Sequence, residues 1–272
     1  MNTALIAGEG ILPIEIARKL KELQPSTLIL TLRKDDELKP FAGKLVRLRF
    51  PNMGRVIREL REFGADAVIM AGNVSKRWIY GVPVFFDGLT RKILRDTLFT
   101  GRDDHSLLGS IVKAFEDEGI KVLPYWQILS EFIASSGKLS ERSPTDKEFS
   151  DIRYGQKILN AILPCSFGQS LSVADGAVTA VEAMEGTDKM IERSGEVAGR
   201  GVVVKMMKKT QDMRYDLPTV GTGTLERMHM AGLTCLAVEA GKTIILEPEN
   251  FFNLAGKYKI AVWGLKNNEE EV

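Results

Sequence analysis

The first half of the chain alternates short apolar runs with longer amphipathic stretches. The runs are short enough for buried strands, and the stretches between them repeat apolar residues at helical spacing. The runs lie at residues 4–7, 27–32, 45–50, 67–71 and 120–123, and the helical stretches lie at residues 13–23, 53–63, 88–97 and 105–118. Such alternation predicts a largely parallel sheet with helices on both faces, which is a doubly wound α/β fold.

The second half begins after a polar segment, SSGKLSERSPT, which has no apolar period. Segments of this composition are typical of linkers, so we expect a first domain over residues 1–134, a linker over 135–145 and a second domain over 146–272. Short apolar runs and helical stretches then follow without strict alternation. The runs lie at residues 170–174, 178–183, 201–205, 234–239 and 243–246, and the helical stretches lie at residues 146–163, 188–194 and 222–231. This pattern predicts a distinct mixed α/β domain.

Composition limits the classes of function. The 272 residues carry a formal net charge of +1, so no overall field favours a nucleic-acid partner. Two cysteines without CxxC spacing favour a reducing compartment, and we expect both thiols in the core. The N-terminus has no secretory signal and no run is long enough to span a membrane, so we expect a cytoplasmic protein. Two histidines are too few for a binuclear metallophosphoesterase site.

A glycine turn separates the first run from the first helical stretch. Gly8 and Gly10 would let backbone N–H groups approach a phosphate, and the helix N-terminus adds positive potential. A dinucleotide-binding fingerprint would need a third glycine where Pro13 stands, and the second run ends in Arg33 and not in an acid. The turn therefore disfavours a nicotinamide site. It either contacts another phosphate ligand or merely connects strand to helix.

Two adjacent acids stand before a long amphipathic stretch. Asp103 and Asp104 could cap that helix, since carboxylates accept its free N–H groups and favour its dipole. Equally, they could hold a hard divalent cation or contact a substrate, because such cations prefer oxygen ligands. Both interpretations stay open on the sequence alone. Asn73, after the fourth run, is placed where substrate contacts are expected.

Charged residues of both signs concentrate in two blocks of the second half. Carboxylates bind Mg²⁺ and cationic side chains neutralise phosphoryl oxygens, so mixed charge is typical of a phosphoryl-transfer site. A solvated loop laced with salt bridges is the competing interpretation. The blocks are AVEAMEGTDKMIERSG, with Glu182, Glu185, Thr187 and Asp188, and VVVKMMKKTQDMRYDLPTVGTGTLE, with Lys205, Lys208, Lys209, Gln211, Asp212, Arg214 and Asp216.

Four segments together resemble one family. IAGEGILPIEIA, GRDDHSLLGSIVKAFEDEG, AVEAMEGTDKMI and QDMRYDLPTVGTGTLERMHMAGLTCLAVEAG occur in the order found in the UDP-2,3-diacylglucosamine pyrophosphatases of lipid A synthesis. The segments run from the first strand nearly to the C-terminus. EGTD followed by QDxRxDLPxVGxxT is the specific part of the resemblance.

The resemblance implies a Rossmann-like first domain, a distinct second domain and a UDP-linked diacylated glucosamine lipid as substrate. It also implies Mg²⁺-dependent attack of water on the pyrophosphate, which would release UMP and 2,3-diacylglucosamine 1-phosphate. The family's essential acid falls on Asp216. From charge and motif membership we expect catalytic roles for Asp216, Asp188, Lys205 and Arg214, metal binding by Asp216, Asp188 and Glu185, and substrate contacts by Gly8, Gly10, Asn73, Asp103, Asp104, Thr187 and Gln211.

Partners and alternatives follow from the same interpretation. A lipid substrate implies transient contact with the inner-membrane surface, with the protein peripheral to it, and the sequence leaves a homodimer open. Composition and charge do not distinguish this enzyme from a protein of another class, which binds a nucleotide sugar or lipid without reacting. Release of UMP in the presence of Mg²⁺ would distinguish the enzyme from the carrier.

Overall fold

The computed structural model describes residues 1–34, 36–48, 52–74, 86–100, 104–165, 168–209 and 211–266, with the side chains of 96–100 and 104–106 left aside. The chain folds into two compact units. The first contains Met1–Leu129 together with Asp212–Asp216, and the second contains Ser130–Gln211 and Leu217–Val272. A short piece of the second half of the chain thus packs with the first.

The first unit is built on a five-stranded parallel sheet of order β3-β2-β1-β4-β5. Its strands are β1 (Thr3–Ala7), β2 (Leu28–Thr31), β3 (Lys44–Arg47), β4 (Ala67–Ala71) and β5 (Lys121–Val122), and its helices are α1 (Leu12–Leu23), α2 (Met53–Phe63), α3 (Gly88–Thr100) and α4 (Asp104–Glu116). The chain runs outward from β1 to β3 and then returns to the other side of β1. That reversal between β1 and β4 is the hallmark of a Rossmann-like sheet.

Both faces of this sheet are buried. Ala4, Leu30 and Val68 point to one face, where α2 and α4 cover them in a single apolar cluster. Leu5 and Ile69, of the opposite parity, are also buried, and α1 contacts β1 and β4. Because successive strand residues alternate between faces, burial of both parities requires a helix layer on each side. The predicted doubly wound arrangement is confirmed.

The second unit contains a six-stranded mixed sheet of order β6-β13-β11-β9-β7-β8. Strands β9, β11 and β13 run parallel, whereas β6, β7 and β8 pair antiparallel with their neighbours. The strands are β6 (Gly137–Lys138), β7 (Ser170–Ala174), β8 (Ala177–Val181), β9 (Val202–Lys205), β11 (Cys235–Glu239) and β13 (Ala261–Leu265), and β10 (Thr219–Val220) pairs with β12 (Ile244–Ile245) in a small second sheet.

Four helices complete the second unit within the described residues: α5 (Asp146–Ile162), α6 (Thr187–Ala198), α7 (Thr222–Met230) and α8 (Pro248–Tyr258). Helix α5 begins with a capping box, in which the Thr145 hydroxyl accepts from the Glu148 N–H and the Glu148 carboxylate accepts from the Thr145 N–H. The box satisfies N–H groups that the helix itself leaves unpaired. The second unit is therefore the distinct mixed α/β domain that the sequence predicts.

Three details differ from the sequence interpretation. Helix α8 and strand β13 lie beyond the last predicted run, although β13 pairs with β11 along its full length. Strand β6 lies inside the predicted linker, and the predicted domain boundaries stay a prediction. The expectation that both thiols are buried is wrong for Cys165, which is exposed because it lies in the turn that ends α5, whereas Cys235 is buried. Among the described residues no helix has the length and apolar character of a membrane span.

Candidate active site

The first candidate region lies at the carboxyl edge of the first sheet, where the strand order reverses. The Glu9 N–H donates to the Asn73 carbonyl at 2.8 Å, and the Asn73 N–H donates back to the Glu9 carbonyl at 3.0 Å. The Gly8 N–H donates to the Ala71 carbonyl at 2.8 Å. The loops after β1 and β4 are thus joined by their backbones. Ligands of α/β proteins bind at this kind of switch point, outside the carboxyl ends of the strands.

Small residues permit that close approach. A Cβ on Gly8 would lie 2.5 Å from the Asn73 carbonyl oxygen, and Gly72 has a φ of 89° and lies against Glu9 and Pro13. Gly10 has a φ of 100° with open space around the position of a Cβ, and its carbonyl accepts from Arg33 Nη1 at 2.6 Å. The structure therefore brings the predicted Gly8, Gly10 and Asn73 to one edge of the sheet.

The segment Asp212–Asp216 packs on the same unit. The Tyr125 N–H, just beyond β5, donates to the Arg214 carbonyl at 3.3 Å, and Arg214 Nη1 lies 3.0 Å from Glu116 Oε1 at the end of α4. The Tyr215 ring packs against the apolar cluster of the first unit. Burial raises the pKa of the Tyr215 phenol to about 12. These contacts pack the segment beside the chain that follows β5 and against the end of α4.

Internal hydrogen bonds shape the segment. The Asp212 carbonyl accepts from the Tyr215 N–H at 3.2 Å and from the Asp216 N–H at 3.0 Å, and the Asp212 carboxylate accepts from the Arg214 N–H at 2.9 Å. The Arg214 guanidinium donates to both Asp212 oxygens, and this pairing raises the pKa of Arg214. Paired with Asp212 and Glu116, Arg214 is held in place as part of the turn.

Asp216 itself is half-buried. Within the part of the chain that the structure describes, its carboxylate makes no hydrogen bond or ion pair. A partly buried carboxylate without a counter-charge is suited to a cation or to an activated water. Asp103 lies outside the described residues, and Asp104 begins α4 with a side chain that is not described.

The second candidate region is a buried polar cluster in the second unit. Lys205 ends β9 with 6% of its surface exposed, and its Nζ donates to Thr187 Oγ1 at 3.1 Å. Thr187 opens α6 and donates to Glu182 Oε1 at 3.1 Å. Glu182, itself 8% exposed, also accepts from the Ser170 hydroxyl. Burial lowers the pKa of Lys205, and the charges of Glu182 and Asp188 partly offset that effect.

The remaining predicted residues of this unit are engaged elsewhere. Arg193 forms an ion pair with Glu185, and Arg227 Nε lies 3.8 Å from Asp188 Oδ2. Gln211 accepts from the Lys208 N–H at 2.7 Å and donates to Gln169 Oε1 at 3.1 Å. Gln211 therefore fixes the loop that follows β9, and Glu185 and Asp188 have cationic neighbours.

The structure thus sorts the predicted residues into two groups. Gly8, Gly10, Asn73, Arg214 and Asp216 belong to the first unit, and the other described candidates belong to the second: Glu185, Thr187, Asp188, Lys205 and Gln211.

Sequence reasoning missed two buried acids, Glu182 beside Thr187 and Glu239 at the end of β11. The sequence indicates Glu182 only by its charge. Glu239, which is fully buried at the end of β11, accepts from the Met207 N–H at 2.8 Å and pairs with Lys242. An acid at the end of the apolar strand CLAVE is the signal that could have identified Glu239.

A Mg²⁺ site in a protein is built from oxygen donors. Within the described ranges, no three or more His, Cys, Asp or Glu side chains are grouped so that they could hold a metal ion. Mg²⁺ in phosphoryl-transfer enzymes keeps several waters and uses one or two carboxylates together with substrate phosphates. The carboxylate of Asp216 fits that mode of binding, because no described cation neutralises it.

Comparison with known proteins covers both units. The model of the LpxI N-terminal domain matches residues 2–132, and that of the LpxI C-terminal domain matches residues 135–263. The "UDP-2,3-diacylglucosamine pyrophosphatase LpxI" of Caulobacter vibrioides is 31% identical over 277 aligned positions, covering 97% of this chain and 98% of the relative. A crystal structure of the biotin carboxylase subunit of pyruvate carboxylase is 15% identical with a TM-score of 0.27, covering 72% of this chain and 41% of that one, and so slight a likeness supports no inference. On the matches to both domains and to the full-length relative, the chain belongs to the LpxI family.

Proposed function

We propose that this protein hydrolyses the pyrophosphate of UDP-2,3-diacylglucosamine, with Mg²⁺, to UMP and 2,3-diacylglucosamine 1-phosphate in lipid A synthesis. The relative from Caulobacter vibrioides carries the name of that pyrophosphatase and aligns over nearly the whole length of both chains. The observation that carries the proposal is the position of Asp216. It lies in a turn that packs with the Rossmann-like first unit, beside the chain after β5 and the end of α4, and its carboxylate has no cationic partner among the described residues.

The chemistry explains why such a residue is needed. Negative oxygens on both phosphorus atoms repel an incoming water, and this repulsion protects the phosphoanhydride kinetically. Mg²⁺, when bound, would neutralise part of that charge. Asp216 is proposed to hold the ion or to orient the attacking water. Glu185 and Asp188 stay proposed as further metal ligands, and either would have to give up its arginine neighbour.

Other residues take proposed roles in binding and charge neutralisation. Lys205 is proposed to neutralise phosphoryl oxygens, and the loops of Gly8, Gly10 and Asn73 are proposed to contact the nucleotide through backbone groups. Arg214 holds the Asp216 turn in the structure, so its proposed catalytic role includes that contact. Thr187, Gln211, Asp103 and Asp104 stay proposed as substrate contacts.

The proposal extends to location and assembly. A UDP-linked diacylated lipid resides in a membrane while its head group faces water. We therefore propose a cytoplasmic protein that contacts the inner-membrane surface transiently, with a homodimer as the assembly to be measured. Chemical cross-linking and sedimentation in the presence of vesicles would measure both properties.

Product analysis tests the proposed reaction. Purified protein is incubated with UDP-2,3-diacylglucosamine in ¹⁸O-labelled water, with Mg²⁺ or with EDTA, and products are followed by ³¹P NMR and mass spectrometry. We expect UMP and the sugar 1-phosphate in equal amounts, with one ¹⁸O atom in one of them, and loss of turnover in EDTA. Recovery of intact bound lipid in Mg²⁺ would show a binding protein instead, and turnover undiminished by EDTA would remove the metal from the proposal.

A further inference from the structure

The buried cluster around Lys205 contains a carboxylate and a second hydroxyl in addition to the Lys205 ammonium and the Thr187 hydroxyl. Lys205 and Glu182 are both more than nine-tenths buried, and Ser170 is fully buried beside them on β7. Register pairs Ser170 with Lys205 across β7 and β9, so the two side chains originate at adjacent points of the sheet. Buried polar groups of this kind must be hydrogen-bonded, or they cost stability.

The supply of protons fixes the direction of the hydrogen bonds. The Ser170 hydroxyl gives its proton to Glu182 Oε2, and the Thr187 hydroxyl gives its proton to Glu182 Oε1 at 3.1 Å. With its single proton used, Thr187 Oγ1 receives a hydrogen bond from Lys205 Nζ at 3.1 Å. The result is a hydrogen-bonded relay that runs from the Lys205 ammonium through the Thr187 hydroxyl to the Glu182 carboxylate.

Glu182 is itself held tightly by the backbone. Its N–H donates to the Ser170 carbonyl at 2.9 Å, and its Oε2 accepts from the Gln169 N–H at 3.4 Å. A Cβ on Gly168 would lie only 2.0 Å from the Glu182 carbonyl oxygen, so glycine is required for this approach. The carboxylate therefore has a defined position, and its position determines that of the Thr187 hydroxyl.

The relay does not use every N–H donor of the Lys205 ammonium. An ammonium has three N–H donors, and among the described residues Lys205 uses one of them, on Thr187. Helix α6 begins beside it at Thr187, and the N-cap residue Gly186 has no side chain to cap the first N–H groups. The two unused ammonium protons and the helix N-terminus are both attractive to an anion.

We infer that Glu182 is a positioning residue, which acts through the Thr187 hydroxyl to hold the Lys205 ammonium for a phosphoryl group of the substrate. This inference rests on the proposed function, since the anion is taken to be the pyrophosphate of the nucleotide lipid. Glu182 touches no substrate in this account. Its effect is to fix the direction of the Lys205 N–H groups that remain for the anion.

The test uses variants of each link of the relay. Thr187→Val keeps the shape of the side chain but removes the hydroxyl, and Thr187→Ser restores it. Glu182→Gln removes the charge, and Lys205→Met removes the cation. Glu196→Gln, on an exposed position of α6, is the matched control. Each variant is assayed for UMP release from UDP-2,3-diacylglucosamine and for the Kd of UDP by calorimetry, after its Tm has been compared with that of the parent.

We expect Lys205→Met to lower kcat/KM about a hundredfold. Thr187→Val and Glu182→Gln should each lower it about tenfold, the effect of one lost hydrogen bond to a charged group. Thr187→Ser should recover most of the loss, and Glu196→Gln should match the parent. In the Lys205→Met background, Glu182→Gln should change kcat/KM less than about twofold, because the two residues act as one unit.

Several outcomes would overturn the inference. These are an equal loss from Glu182→Gln with and without Lys205, full activity of Thr187→Val, or a Thr187→Ser variant no better than Thr187→Val. A protein that binds UDP without releasing UMP would refute the proposed hydrolysis, and the same set of variants would then decide the inference on the Kd of UDP. A parent chain that neither binds UDP nor releases UMP would overturn both.

Discussion

Glu148 is a buried acid whose hydrogen bonds stabilise the fold of the second unit. Its carboxylate accepts two hydrogen bonds from Arg142 at 2.8 Å, one from the Thr145 N–H at 2.8 Å and one from the Thr234 hydroxyl at 2.7 Å. Burial on its own would raise the pKa of Glu148, but these bonds outweigh it and lower the pKa to about 2. Glu148 thereby connects the start of α5 to the strands of the second sheet.

A pH-dependent stability follows from this acid. The folded pKa lies below the ordinary value of 4.5, so the stabilisation is complete above pH 4.5 and is lost as the pH falls toward 2. Glu148→Gln should lower the free energy of unfolding by about 2–3 kcal/mol at pH 7 and by much less near pH 2. Urea unfolding of parent and variant across that range measures the difference. A difference that does not change with pH would contradict it, and the exposed Glu141→Gln serves as control.

At the same scale, the sequence indicates which residues carry charge but not which of them meet. It predicts Lys205 and Thr187 as site residues from motif and charge. It does not predict that Glu182 and Ser170 complete their hydrogen bonds, because that depends on the antiparallel pairing of β7 with β9. It likewise gives no sign that Arg214 is paired with Asp212 and Glu116.

Elements were predicted from their apolar period where that period is strong. Helix α2 and strands β4 and β7 begin and end where the pattern places them. Strand β13 was missed because its five residues, AVWGL, form one short run near the C-terminus, where no alternation with a further element follows. Its place in the sheet is set by tertiary pairing with β11, which a local pattern does not contain.

The joined loops after β1 and β4 give a prediction for an element. Gly8→Ala puts a methyl group 2.5 Å from the Asn73 carbonyl oxygen, so the loops must separate. We expect a loss of about 1–3 kcal/mol in the free energy of unfolding, together with weaker binding of UDP. Gly109→Ala is the control, because it lies within α4 with nothing within 4 Å of its Cβ and should stabilise by about 0.5–1 kcal/mol. Equal stability and UDP affinity of the Gly8→Ala variant would show that the loops tolerate separation.

At the scale of the whole molecule, the course of the chain separates residues that are neighbours in sequence. Lys205 and Gln211 belong to the second unit, whereas Asp212–Asp216 belongs to the first. The sequence places all of them in one mixed-charge block, since nothing local marks where the chain changes units. The LpxI family models match both units, so the proposed function is that of a protein that contains both.

The central claim is that Asp216 serves in the hydrolysis of the UDP lipid. The measurement is Mg²⁺-dependent UMP release by Asp216→Asn, compared with the parent and with Asp117→Asn, an exposed acid just beyond α4 in the same unit. We predict that Asp216→Asn folds with an unchanged Tm and loses at least about a hundredfold in kcat, while Asp117→Asn keeps parental activity. Parental turnover by a folded Asp216→Asn variant would contradict the account.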